Sequence, residues 1–133
     1  MPSSLESNIP HLVGRMRARA TRLVRRTASD IAADTRTSMG GLKHGRKYTR
    51  GGKTHQASAP GEAPAIETPE GGYAQTIRTA KVDDLTSAVG TDDPRGPALE
   101  LGGRRVASRP HLGPAAARAR EGFAEGLKEI FEP

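Results

Sequence analysis

From Ile9 onward the residues Ile9, Leu12, Val13, Met16, Ala20, Leu23, Val24, Thr27 and Ile31 recur at spacings of three and four, which lays one stripe along a helix. Ser7 or Asn8 is placed to cap the free amides at its start. Pro10 suits a first turn that needs no amide donor, and Gly40 with Gly41 ends the pattern. The spacing predicts a helix over residues 8–38. At about 1.5 Å per residue it runs about 45 Å, longer than a domain of this size needs, so part of it is expected to meet another subunit.

The pattern then breaks. Residues 40–72 hold eight glycines and three prolines, with Lys43, Arg46, Lys47, Arg50 and Lys53 unopposed by any acid until Glu62. This stretch reads as a long Gly/Pro/basic loop, an extended arm that orders against a partner. From Tyr73 to Thr91 the residues Ile77, Val82, Leu85, Ala88 and Val89 mix with Thr and Gln in short runs around Asp83 and Asp84. They predict a β-hairpin over 73–91, with strands near 73–81 and 85–91. After an irregular segment Pro114 opens a second helix, expected over 114–131, whose apolar positions are Ala116, Ala119, Phe123, Leu127, Ile130 and Phe131. The order implies an α+β fold: a long N-terminal and a C-terminal helix packed on a small antiparallel sheet, as one domain over 1–133.

Composition changes this picture in one respect. Only 34% of the 133 residues are hydrophobic and 3% aromatic, against 16 glycines and 10 prolines, so apolar area for burial is scarce and a lone monomer would be marginally stable. Partner surfaces are the usual remedy for a thin core. The formal charge of +6 admits nucleic acid, an anionic membrane surface or an acidic protein as partner. No cysteine is present, which excludes disulfides, thiolate catalysis and cysteine-zinc sites. No apolar run of spanning length exists and residues 1–10 lack a signal-peptide stretch, so a soluble, unsecreted chain is expected.

Arg15, Arg17, Arg19, Arg22, Arg25 and Arg26 occupy much of the first helix with no acid between Glu6 and Asp30. A solvated or subunit-facing surface is the expected role. A face for DNA or RNA would want the arginines on one side, whereas these wrap more widely. A membrane-surface helix or a mitochondrial presequence shares the Arg-rich, acid-poor amphipathic character, but the apolar stripe fits a packed core better. Of these basic positions Arg15, Arg19, Arg22, Arg26, Lys43, Arg46, Lys47, Arg50 and Lys53 are the candidates for contacts between subunits or with a partner.

Several motifs tempt and fail. Gly52-Lys53-Thr54 looks like the end of a phosphate-cradling loop, but the required first glycine is Lys47 and no strand leads in. His11, His44, His55 and His111 show no helical ligand spacing and read as ordinary polar residues. No G-x-S-x-G turn occurs, and the pairs Asp83-Asp84 and Asp92-Asp93 read as turn formers rather than paired acid-base groups. No catalytic, cofactor-binding or metal-binding residue is expected. Glu100 stands in an otherwise apolar Ala-Leu-Glu-Leu segment, so its carboxylate must be paired if buried. Arg109 or Arg105 is nearest in sequence, and a structural Glu100–Arg109 pair is expected.

A series of landmarks over residues 58–131 carries a resemblance. Ser58-Ala59-Pro60-Gly61-Glu62-Ala63-Pro64-Ala65-Ile66-Glu67-Thr68, then Ala74-Gln75-Thr76-Ile77, is similar to a "PGEPP" loop, a Thr-Gly and an "L-x-x-S-I" strand. Ala88-Val89-Gly90-Thr91 resembles a "V-G-T" strand end, and Ala98-Leu99-Glu100-Leu101-Gly102 an "A-x-x-E-x-G" element. Arg109-Pro110-His111-Leu112-Gly113-Pro114-Ala115 is similar to "A-R-P-F-L-R-P-A" before a last helix. In this order they resemble the neck, or head-tail connector and tail-completion, proteins of lambda-like siphophages, the "gene product ten" type. The chain departs from that pattern with Pro69-Glu70-Gly71 after Thr68, Thr76 for Ser and His111 for Phe.

The resemblance implies a structural virion protein forming a homo-oligomeric ring, a hexamer favoured over a dodecamer, between the head-closure proteins and the tail tube. DNA would pass its hole without being read, and the protein would be found in the virion, after assembly in the host cytoplasm. No membrane contact is expected, and most arginines should lie away from the channel. The principal alternative is a basic, histone-like nucleic-acid-binding protein. Aromatic residues for base stacking are nearly absent, with Tyr48, Tyr73 and two phenylalanines in the last helix. Tight, steeply salt-dependent gel shifts would favour that alternative.

Overall fold

A computed structural model describes residues 4–66 and 72–132. Helix α1 (Ser4–Met39) is followed by strands β1 (Lys47–Arg50) and β2 (Lys53–Gln56), a 3-10 turn at Gly72–Thr76, strands β3 (Arg78–Asp83) and β4 (Thr86–Gly90), and helices α2 (Gly96–Leu101) and α3 (Leu112–Phe131). The architecture is α+β, with two separate two-stranded antiparallel sheets. Of the residues named above, the side chain of Ser7 and all of Glu67, Thr68, Pro69, Glu70 and Gly71 lie outside the described residues.

Helix α1 begins at Ser4, so Asn8 and Pro10 lie within it rather than at its start. Pro10 lacks the amide that would bond back one turn, so the N-terminal end is joined to the rest with one hydrogen bond fewer. At the other end the Gly40 amide donates to the Thr37 carbonyl at 3.1 Å, and the Lys43 ammonium donates to the Ser38 carbonyl at 2.8 Å. A cation on those free carbonyls is favoured by the helix dipole.

The stripe picked out by large side chains is only partly the buried one. Leu23 is buried, but Ile9, Leu12 and Val13 are exposed. The deepest contacts come from small residues, Ala28, Ala32 and Thr35, and from Met39, again at spacings of three and four. Of these, Ala32 and Met39 meet Tyr73, Ala74 and Ile77 in a buried apolar cluster, with Ala63, Val89, Leu99 and Leu112 around it. Small side chains let the 3-10 turn approach the helix closely while adding little to any hydrophobic pattern. Arg36 fixes the approach by donating to the Ile77 carbonyl at 2.7 Å.

Helix α3 packs antiparallel on α1. Arg118 pairs with Asp34 at 2.7 Å, Gly126 lies against Leu23, and Phe131 borders Leu12 and Met16. A Cβ at Gly126 would stand 2.7 Å from a Leu23 methyl, so glycine sets how near the helices come. The β3–β4 hairpin lies on α1, where Leu85 and Val89 neighbour Val24, Ala28 and Ile31. A bulge between Lys81 and Asp83 shifts its register.

Residues 40–72, expected as an extended arm without structure of its own, contain the β1–β2 hairpin. Gly51 and Gly52 take φ of 60° and 77°, which only glycine adopts readily at both positions of a tight two-residue turn. The two strands contact each other and hardly touch the helices.

Candidate functional site

The basic positions separate into three environments. Arg15, Arg19, Arg22 and Arg26 follow one another at spacings of four, three and four, and so share one side of α1. They border the groove between α1 and α3, across from Gly126, Glu129, Ile130 and Glu132. All four are exposed and none makes an ion pair with a described residue. The wider wrap read from six arginines comes from Arg17 and Arg25, which lie toward the β3–β4 turn. There the Asp84 carboxyl is held below its ordinary range, first by its hydrogen bond and charge contact with Lys81 and then by the charges of Arg17 and Arg25.

Lys43 is a different case, engaged within the chain. Its side chain is turned onto the end of α1, with 9% of the residue exposed, and burial lowers its pKa against the opposing charge of Glu62. Arg46, Lys47, Arg50 and Lys53 are exposed on or beside the β1–β2 hairpin.

The foot of that hairpin is tightly built. The Gly45 amide donates to the Ala57 carbonyl at 2.8 Å and the Ala57 amide to the Arg46 carbonyl at 2.9 Å. A Cβ at Gly45 would collide with the Ala57 and Ser58 carbonyls. Glu62 closes the foot by accepting from the amides of His44 at 2.9 Å and Ala59 at 2.6 Å, and its second oxygen meets His44 Nδ1 at 2.8 Å. These bonds, the His44 side chain's first, hold its carboxyl down at about 2.

The expected Glu100–Arg109 pair does not form. Glu100 reaches from α2 to the start of α3 and accepts the amides of His111 at 2.8 Å, Leu112 at 2.7 Å and Gly113 at 2.9 Å. Three bonds from free helix-start amides satisfy the carboxylate better than a single cation, and they let α3 begin at Leu112, ahead of Pro114. Arg109 turns the other way, donating to Ser58 Oγ at 2.8 Å, to the Ser58 carbonyl and to the Ala107 carbonyl.

His111, read as an ordinary polar residue, is 1% exposed. The Arg109 carbonyl accepts from its Nδ1 at 2.8 Å, which leaves Nε2 to accept the Tyr73 hydroxyl at 2.7 Å. Burial, reinforced by Asp93 and Glu100 and opposed by Arg95, pushes Tyr73 up to about 12. The hydroxyl therefore keeps its proton for that bond. Nothing in the sequence signalled this partnership across 38 residues. With both ring nitrogens engaged inside the fold, the cluster acts as a joint between the 3-10 turn, α2 and α3.

Among the described residues no helix is long and apolar enough to cross a membrane, and no three His, Asp or Glu side chains converge as metal ligands would. The described surface carries the arginine-bordered groove of α1 and α3 and the basic hairpin. Comparison of the chain with protein-family models, with curated proteins and with solved structures returned no match.

Proposed function

We propose that this chain is a structural subunit of a phage neck, assembling into a ring that joins the head-closure complex to the tail tube and lets DNA pass. The observation that carries the reading is excess surface. The chain exposes 9440 Å², whereas a compact monomer of its 14.1 kDa would expose roughly 6,700 Å². Two interfaces of roughly 800 Å² per partner, one to each neighbour in a ring, would cover much of the difference.

The exposed features fit that use. Leu12 near the start of α1 and Phe131 at the end of α3 are exposed and lie together beside Arg15 and Arg19, and Ile9 and Val13 of α1 are exposed as well. Such a patch with a charged border suits a head-to-tail contact, in which a different surface of the next copy closes on it and rotation completes the ring. The order of landmarks over residues 58–131 that resembles the tail-completion type supplies the place of the ring, and a hexamer is the favoured count.

The test is the assembly state. Sedimentation and negative-stain imaging of the purified chain, alone and with a tail-tube protein encoded beside it, should give closed rings. A monomer under both conditions at millimolar concentration overturns the proposal.

A further inference from the structure

We propose that the β1–β2 hairpin is an arm that grips the phosphate backbone of duplex DNA. This goes beyond the neck reading and does not depend on it.

The ribbon carries no aliphatic side chain. Apart from its two tip glycines, every residue from Arg46 to Gln56 bears a hydrogen-bond donor: Arg, Lys, Tyr, Thr, Arg, then Lys, Thr, His and Gln. Protein partners are normally held by buried anchors, and the ribbon offers no aliphatic one, its single tyrosine, Tyr48, being stacked on His55. Phosphate oxygens are contacted by the types present here, Arg and Lys with Thr, Gln and Tyr.

Register places three of the four cations on one face, with Lys47 on the other. Arg50 stands directly opposite Lys53, and Tyr48 opposite His55, their rings stacked at 5.4 Å between centroids. Arg46, two residues before Tyr48, continues that face at the foot. Like charges directly across a strand pair destabilise it. No described carboxylate pairs with Arg46, Lys47, Arg50 or Lys53, and Glu62, the nearest acid in sequence, is committed to the foot. Among the described residues nothing supplies the counter-charge, and a phosphate backbone would.

The shape agrees. Both tip glycines have open space around them, so the ribbon ends without a side chain. A two-stranded ribbon fits a major groove about 12 Å wide, and its row of cations can then reach phosphates. Base reading is not expected, because the hairpin makes few contacts with the helices, Tyr48 alone among its strand residues bordering the cavity lined by Tyr73 and Leu99.

The test is anisotropy of a fluorescein-labelled random-sequence duplex titrated with the full-length chain over a salt series. Wild type should bind with a log–log salt slope near −2.7, from about 0.9 for each of roughly three phosphates. Replacing Arg46, Arg50 and Lys53 by Ala should weaken binding at least about tenfold and flatten the slope. Replacing the exposed Arg104, Arg105 and Arg120 by Ala removes the same charge elsewhere and should leave the slope unchanged.

Lys53→Glu separates binding from folding. It turns the cross-strand repulsion into an attraction, so the hairpin should become more ordered by amide exchange while DNA binding falls. No binding by wild type at low salt, equal loss in the two triple variants, or competition by polyglutamate as effective as by unlabelled duplex would each overturn the proposal. The last outcome would mark an acidic protein as the ligand. Imaging of the same variants reads ring formation separately, so loss of DNA binding with intact rings, or the reverse, tells the two proposals apart.

Discussion

The joint around His111 and the hairpin β1–β2 are both rich in polar side chains, and they use them in opposite ways. In the joint Tyr73, His111, Glu100, Arg109 and Ser58 all spend their hydrogen-bonding capacity on one another or on backbone groups, and no buried side-chain polar atom among the described residues lacks a partner. In the hairpin the cations and hydroxyls point outward and bond almost nothing within the chain. A satisfied buried network fixes one arrangement of helices, whereas an unsatisfied exposed one is available to a ligand. The contrast implies that substitutions in the joint change stability and substitutions in the hairpin change binding.

The hardest blow to the joint is His111→Ala. Removing a ring that is 1% exposed leaves a cavity and strands the Tyr73 hydroxyl, at a cost of about 3 kcal/mol. Chemical denaturation reads this directly, and an unchanged midpoint would show that the site collapses freely. A double-mutant cycle sharpens the point. His111→Phe alone should cost about 1–2 kcal/mol because the hydroxyl loses its acceptor. Adding Tyr73→Phe should return a good part of that loss through a coupling of about 1 kcal/mol. Strict additivity would mean that the Tyr73–His111 bond contributes nothing.

Glu100→Gln comes next in size. The amide keeps an acceptor for part of the helix start but gives up the negative charge and turns a donor toward the third amide, for about 1–2 kcal/mol. The melting temperature should fall, and exchange at the His111 amide, which faces the new donor when the Gln oxygen keeps Leu112 and Gly113, should quicken more than in the body of α3. An unaltered melting temperature together with intact assemblies would remove Glu100 from its capping role.

What could be read from the sequence follows the same division. The two long helices announce themselves because one face of each is buried, and burial imposes a period on side-chain type; of the second hairpin only β4 is partly buried, β3 is exposed throughout, and the residues 73–76 expected at its start form the 3-10 turn. β1–β2 buries neither face, so its residues show no alternation and the run of Gly and Lys resembles loop. The signal available was Gly51-Gly52 between two short runs rich in Thr and Tyr, the mark of a two-residue hairpin. α2 spans six residues around Pro97 and leaves no period to detect. Glu100 is recognisable in the sequence as needing a partner, but backbone amides carry no residue identity, so the sequence points to an arginine where the partners are the helix-start amides. The arginine row was visible only after Arg17 and Arg25 were set apart, which required knowing where β3 and β4 lie.

The smallest expected effect is the most local, and it probes the boundary between the two regions. Glu62 holds the hairpin foot, and its carboxyl is lowered from 4.5 to about 2, chiefly by the His44 side chain and then by the Ala59 and His44 amides. A carboxyl whose folded value lies below its unfolded one contributes above about 4.5, and that contribution drains away as pH falls toward 2. Amide exchange, corrected for its intrinsic pH dependence, should therefore show protection at His44 and Ala59 declining through that window, with the β1–β2 amides following. Glu62→Gln should leave those amides less protected at neutral pH and erase this pH dependence, with little change in the global unfolding midpoint because the hairpin barely touches the core. If Glu62→Gln instead unfolds the whole chain, the hairpin is not a separable arm and the division between joint and arm fails at its foot.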